Sequence, residues 1–259
     1  MEEIAAFTSS LSKVSRRNYR YIVQSFLRDI GKDLNSLEKK DIDLWISNKE
    51  ISRRTMKTYL YVLSRFFRYI ERDDLSKHCR ERAKEIRVSN PIPRVDDDLL
   101  KKVEELKERI SDMGGERSAV IALLLSTGMR LSEVLSLRPK DIDLKRRMIR
   151  VMGKGGKERI VYMTSWCADI LGNYIKEMKA DDKIFRISAR TVQRWVKELL
   201  GVSPHGIRHA FAVMYLARGG NIRALQKILG HSKLSTTEVY LDIARSLVEE
   251  DFRRTMERY

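Results

Sequence analysis

Cysteine is nearly missing from this chain, with only Cys79 and Cys167 among 259 residues. Two thiols cannot staple a secreted disulfide scaffold or supply a multi-cysteine zinc domain. Long apolar runs are missing as well. The longest, Ala119 to Leu125, is far short of the roughly 20 residues that a bilayer-spanning helix needs. The opening MEEIAAFTSS lacks the basic-then-apolar order of a signal peptide. These absences predict a cytoplasmic protein with no membrane partner. HEXXH, paired CXXC and GXXXXGK[ST] are absent too, which argues against a zinc site and against nucleotide hydrolysis. No cofactor and no metal are expected.

Acidic charge is the other shortage. Lys and Arg total 52 against 36 Asp and Glu, a formal net charge of +16. A surplus of this size suits a polyanionic partner, because basic side chains neutralise phosphates and release condensed counterions. A solvated basic surface kept for solubility explains composition alone about as well. The distribution adds information: residues 1–90 carry 20 basic and 13 acidic side chains, and residues 91–259 carry 32 and 23. Both parts are positive, as two bodies facing one polyanion would be and a single basic tail would not.

Hydrophobic residues make up 42% of the chain, enough for sizeable cores. Helical spacing of Leu11, Val14, Tyr19, Ile22, Val23, Phe26, Leu27 and Ile30 predicts a first helix ending at Gly31. A second is expected over Lys39 to Asn48. A third, from about Ser52, buries Met56, Leu60, Leu63, Phe66 and Phe67. Arg16, Arg17, Arg20, Arg53, Arg54, Lys57, Arg65 and Arg68 stud these helices and together suit a phosphate-tracking face, although any one alone is an ordinary solvated residue. Pro91 and Pro93 then interrupt the pattern and predict an extended linker. The expected division is a helical domain at 1–88, a linker at 89–97 and a second domain at 98–259, with Asp96 capping the helix that follows.

In the second domain, ERSAVIALLLSTG is apolar enough to lie at the centre, and RRMIRVMGKGGKERIVYM reads as a β-hairpin. Helices are expected near Thr164 to Met178, Ser188 to Leu200, Pro204 to Ala217 and Asn221 to Leu229, the last ended by Gly230. The fold class is mostly α with a small antiparallel β-sheet. If Ser203 caps a helix begun by Pro204, then His205, Arg208 and His209 share one face. Two imidazoles beside a guanidinium are awkward without an anion opposite. His205 and Arg208 form the better functional pair; His209 is divided evenly between a core histidine and a functional one.

The stretches TGMRLSEVLSLRPKDID, VMGKGGKERIVYM, HGIRHAF and LGHSKLSTTEVYLDI, in this order, closely resemble the tyrosine recombinase (phage integrase) family, with Xer-type resolvases of archaeal kind the nearest form. The resemblance covers nearly all of residues 91–259 and implies a two-domain architecture, with an N-terminal core-binding domain ahead of a catalytic domain. It places the catalytic residues at Arg130, Lys154, His205, Arg208, His231 and Tyr240, with Glu133 supporting Arg130. The departures are Ala210 and Val213, where the family often has threonines, and Gly206 in place of a polar residue. None falls on a charged catalytic position.

What the resemblance implies is chemically coherent. Two guanidiniums can hold phosphate oxygens with forked bonds, taking the place of a metal clamp. A neutral His205 can accept the proton of the Tyr240 phenol, Lys154 can protonate the leaving 5′ oxygen, and His231 can bond the scissile phosphate. A 3′-phosphotyrosyl intermediate conserves the bond energy, so strand exchange needs neither ATP nor metal. The implied function is site-specific recombination of double-stranded DNA by a tetramer holding two duplexes, in dimer resolution or in integration of a mobile element. The terminal helix, with Ile243, Leu247, Val248 and Phe252, is expected to dock into a neighbouring subunit; packing on its own domain is the alternative. A type IB topoisomerase and a non-catalytic DNA-binding protein are the competing functions.

Overall fold

The computed structural model of the chain describes residues 2–88, 95–153 and 158–256. Pro91, Pro93 and Lys154 therefore lie outside the described residues, as do the side chains of Val14, Val248 and Phe252. The chain divides into two compact units, Met1–Pro91 and Ile92–Tyr259, each with its own core.

In the first unit, α1 (Glu2–Ser9), α2 (Lys13–Ile30), α3 (Lys39–Ser47), α4 (Arg53–Tyr69) and α5 (Asp73–Glu85) form a helical bundle. Ser12 caps α2 by accepting from the Ser15 amide, and Gly31 ends it in the left-handed region at φ 64°. The Ser52 hydroxyl caps α4 in the same way through Thr55. Phe26, Phe66 and Phe67 are fully buried. Phe26 meets Trp45 and Phe67 edge to face, at centroid distances of 5.3 and 5.8 Å, a preferred aromatic geometry. Each such ring contributes about 1.5–3 kcal/mol through burial. Helices α1 and α5 are not foreshadowed by the hydrophobic spacing. In α5, DDLSKHCRERAKE is mostly charged; its apolar core contacts are Leu75, Cys79 and Ala83, spaced four apart, with Ser76 buried beside them.

The second unit holds α6 (Asp97–Arg109), α7 (Gly115–Thr127), α8 (Leu131–Val134), β1 (Ile142–Asp143), β2 (Met148–Met152), β3 (Glu158–Tyr162), α9 (Ser165–Ile175), α10 (Ala189–Leu200), α11 (Pro204–Ala217), α12 (Ile222–Leu229) and α13 (Ser235–Met256). Asp96 caps α6 through the Leu99 amide, so the helix begins at Asp97, one residue before the expected domain start. Helix α7 is buried from Ser118 to Thr127, as its apolar run predicts. The sheet is antiparallel in the order β1-β2-β3, with Ile149 opposite Val161 and Met152 opposite Glu158. The expected hairpin is its β2–β3 pair; the two-residue β1 is too short to leave a periodic signal. Ile149, Val151 and Val161 face the core, whereas Met152, Ile160 and Tyr162 are exposed on the other face, the alternation that a one-sided sheet requires.

Candidate active site

Four short segments converge in the second unit. Thr127 ends α7 and Gly128 follows at φ +61°. A Cβ at Gly128 would lie 2.4 Å from the Phe211 ring, so only glycine fits both the backbone and the space. The turn leads to Arg130, which occupies the cap position of α8. Glu133, three residues on, accepts from the Arg130 amide at 2.8 Å and from its guanidinium at 3.0 Å.

Ser203 caps α11 through the Gly206 amide, and Pro204 occupies its first turn. The helix presents His205, Arg208 and His209 on one side, with the His205 and His209 rings edge to face at 4.3 Å. Arg208 is almost wholly buried, at 2% exposure. Its two terminal nitrogens donate to the Gly128 carbonyl at 2.8 Å and the Leu229 carbonyl at 2.6 Å.

Asn221 caps α12 with its side chain, and Gly230 closes it at φ 65°. The Gly230 amide bonds Lys227 and the His231 amide bonds Gln226, a Schellman pairing that sets His231 immediately beyond the helix. His231 Nε2 lies 3.1 Å from Arg208 and its Nδ1 3.0 Å from the Thr237 hydroxyl. Because a guanidinium can only donate, Nε2 accepts and Nδ1 carries the proton toward Thr237. Tyr240 lies within α13 and is 3% exposed. Its hydroxyl sits 2.7 Å from His209 Nδ1, and its ring stacks near His231 at 6.4 Å.

Electrostatics follow from burial beside fixed cations. Desolvation, then Arg208 and Arg130, lowers the pKa of His205. Desolvation together with His205 and Arg208 pulls His209 down to about 4. His231 also falls to about 4, through desolvation and then Arg208 and Arg130. All three imidazoles are therefore neutral at pH 7. Burial raises the Tyr240 phenol against a smaller opposing effect of Arg208, and lowers Arg208 to about 10, which leaves it charged. An anion entering here would meet Arg130, whose side chain is 43% exposed, and would relieve the repulsion between the cations.

Of the residues expected from sequence, Arg130, Glu133, His205, Arg208, His231 and Tyr240 come together in this unit. The imidazole bonded to the Tyr240 hydroxyl is His209, the residue that the sequence leaves even between a core and a functional role. Ile243, Ala244 and Leu247 of α13 pack on the core of their own unit, which favours the intramolecular alternative for that stretch of the terminal helix. Arg159, which the sequence reading passed over, bonds both oxygens of Glu133. Its signal was available: it shares the inward face of β3 with Val161, where a charged side chain requires a buried partner.

Among the described residues no cluster of His, Cys, Asp and Glu could hold a metal ion, and no helix is long and apolar enough to cross a membrane.

Residues 97–246 match the phage integrase family. The chain is 32% identical to the tyrosine recombinase XerA of Saccharolobus solfataricus, over 92% of its own length and 85% of that protein's. Among solved structures it resembles that of XerA recombinase (TM-score 0.53, 25% identity, 97% of this chain and 98% of the other). It also resembles the XerH site-specific recombinase bound to its difH substrate (TM-score 0.66, 20% identity, 88% and 75%). With the recombinase motifs brought to one place in its second unit, the chain belongs to the phage integrase family as an Xer-like tyrosine site-specific recombinase.

Proposed function

We propose that this recombinase cleaves and rejoins double-stranded DNA through a 3′-phosphotyrosyl intermediate at Tyr240, in the resolution of chromosome or plasmid dimers. The observation that carries the reading is the placement of the Tyr240 hydroxyl beside His209, among Arg130, Arg208, His205 and His231. A buried tyrosine beside a half-buried imidazole, with the buried Arg208 guanidinium acting on it, is the arrangement that a phosphate-attacking phenol needs.

In this mechanism Arg130 and Arg208 bind the non-bridging oxygens of the scissile phosphate and stabilise the charge that accumulates as the phenol attacks. Tyr240 leaves His209, and neutral His205 takes its proton. The Tyr240 oxygen bonds to phosphorus as the bond to the 5′ oxygen breaks, and Lys154 supplies the proton to that leaving oxygen. His231 gives up its bond to Thr237 and donates its Nδ1 proton to a phosphate oxygen. Attack by a 5′ hydroxyl from another strand reverses the steps, so no ATP, metal or cofactor is consumed.

The helical unit serves as the core-binding domain and residues 98–259 as the catalytic domain. Arg17, Arg20, Arg53, Arg65 and Arg68 are exposed and suit phosphate contact. Arg16 bonds the Ser9 and Leu11 carbonyls and Lys57 the Ile86 carbonyl, so these two serve their own fold first. The active assembly is a tetramer on two duplexes in the cytoplasm, with the end of α13 beyond Leu247 reaching a neighbouring subunit.

The test is incubation with genomic or candidate-site DNA, denaturation, and recovery of DNA bound covalently to protein. Wild type yields the adduct, whereas Tyr240→Phe binds DNA and yields none. An adduct retained by Tyr240→Phe overturns the nucleophile assignment. Sequencing the trapped DNA separates a dimer-resolution site from the ends of a mobile element.

A further inference from the structure

Glu133 poses an electrostatic problem for the proposed centre. A carboxylate bonded to Arg130 fixes that guanidinium but also cancels the charge with which it should hold phosphate. The Glu133 side chain is only 9% exposed, so its own charge needs compensation. Arg159 supplies it. From β3 it places one terminal nitrogen 3.0 Å from Oε1 and the other 2.8 Å from Oε2 of Glu133. Each oxygen thus accepts twice, once from Arg130 and once from Arg159, which fills the lone-pair capacity of a carboxylate.

The third donor of Arg159 is also committed. Nε donates to the Ile228 carbonyl at 2.9 Å, near the negative end of α12. Two residues on, Gly230 approaches so closely that a Cβ there would lie 3.1 Å from the Arg159 Cδ and Nε. At 13% side-chain exposure, Arg159 presents no open fork to a ligand. It ties together the start of α8, which carries Arg130, the third strand, and the turn that delivers His231.

Building on the function proposed above, we infer that Arg159 is a positioning residue for strand cleavage: it neutralises Glu133 and locks it as the support of Arg130, leaving Arg130 its full charge for the phosphate, and it braces the turn bearing His231. A lysine at 159 restores the charge but not the fork.

Two readouts on the full-length protein test this. In protein labelled with ¹⁵N-arginine, the Arg130 side-chain signal shifts in Arg159→Met and moves back toward wild type in Arg159→Lys. In single-turnover cleavage at saturating DNA, Arg159→Met slows adduct formation about 100-fold, the size expected when a catalytic group is displaced by about 1 Å. DNA affinity changes less than about threefold, because the loss falls on the transition state. The double variant Glu133→Gln/Arg159→Met is no slower than the worse single variant, since the two residues act as one unit. An Arg130 signal unmoved in Arg159→Met overturns the inference. So does weakened DNA binding with an unchanged cleavage rate, which would make Arg159 a direct DNA contact. A wild type that forms no adduct overturns the proposed function instead, and the arginine signal still decides the role of Arg159.

Discussion

The Tyr240 hydroxyl and His209 Nδ1, 31 residues apart in sequence, share a 2.7 Å hydrogen bond between a buried phenol and a half-buried imidazole. Both groups are neutral, so the bond is an ordinary uncharged one, and its importance lies in what its loss would leave behind. His209→Phe keeps a planar ring but strands the phenol hydroxyl, which should cost about 1–3 kcal/mol of stability. Tyr240→Phe strands an imidazole nitrogen at similar cost. The double variant removes both polar groups and should be less destabilised than the sum of the singles. Urea unfolding of the four proteins measures the coupling; strict additivity would mean that the bond contributes nothing.

The histidines set an acid limit on the second unit. His209 and His231 have folded pKa values of about 4 against an unfolded value near 6.5. Between those values the unfolded chain binds protons that the folded chain does not. Stability is therefore complete above about pH 6.5 and declines as pH falls toward 4. Partial exposure screens the effect, leaving on the order of 2 kcal/mol for the pair. Cleavage should follow the same direction, flat from pH 7 to 8 and falling in acid as His205 protonates. Urea midpoints at pH 7 and pH 5 check the first statement and single-turnover rates the second. A chain equally stable at both pH values would refute it.

The turns of the candidate site are legible in the sequence because each depends on a residue with a specific local job. Ser203 and Pro204 announce the start of α11, Gly230 the end of α12, and the i, i+3, i+4 spacing puts His205, Arg208 and His209 on one side. The choice between His205 and His209 as the partner of Tyr240 is not local. It depends on how α13 packs against α11, which no spacing within either helix encodes. Arg159 is hidden for a related reason: its partner Glu133 lies 26 residues away and the hairpin spacing alone does not say which strand face is buried. Helix α5 leaves little signal because only three apolar residues, Leu75, Cys79 and Ala83, make its hydrophobic contact while polar and charged residues dominate the remainder.

Gly128 is a position where substitution should be costly. Alanine would have to hold φ near +61° and push its Cβ to 2.4 Å from the Phe211 ring. The left-handed backbone costs about 1–2 kcal/mol, and overpacking adds about 1–3 kcal/mol. Because the Gly128 carbonyl also accepts from Arg208, the strain falls directly on the proposed phosphate clamp. Gly128→Ala should lose about 2–5 kcal/mol in urea unfolding, and cleavage by the folded fraction should slow. Phe211→Ala in the same background opens the space but not the backbone region, so it should recover only the packing share. Full recovery would show that backbone strain contributes nothing.

Asp29 is the corresponding polar pin of the first unit. Its Oδ2 accepts from Trp45 Nε1 at 2.9 Å and from the Ser25 hydroxyl at 3.2 Å, and lies 2.6 Å from the Lys49 ammonium. Hydrogen bonds from Lys49 and then Trp45 hold its pKa at about 2, below the unfolded value near 3.9. Its contribution is thus complete above about pH 4 and fades only as pH falls toward 2, so it does not confuse the histidine effect between pH 7 and 5. Asp29→Ala leaves the indole N–H of Trp45, which is 2% exposed, without its acceptor, and should cost about 1–3 kcal/mol. Asp29→Asn keeps an oxygen for the indole and gives up only the partly exposed ion pair, a loss of about 1 kcal/mol or less. Unfolding followed by tryptophan fluorescence should rank the three proteins in that order. If Asn proved as damaging as Ala, the ion pair with Lys49, and not the indole bond, would be what holds α2 to α3.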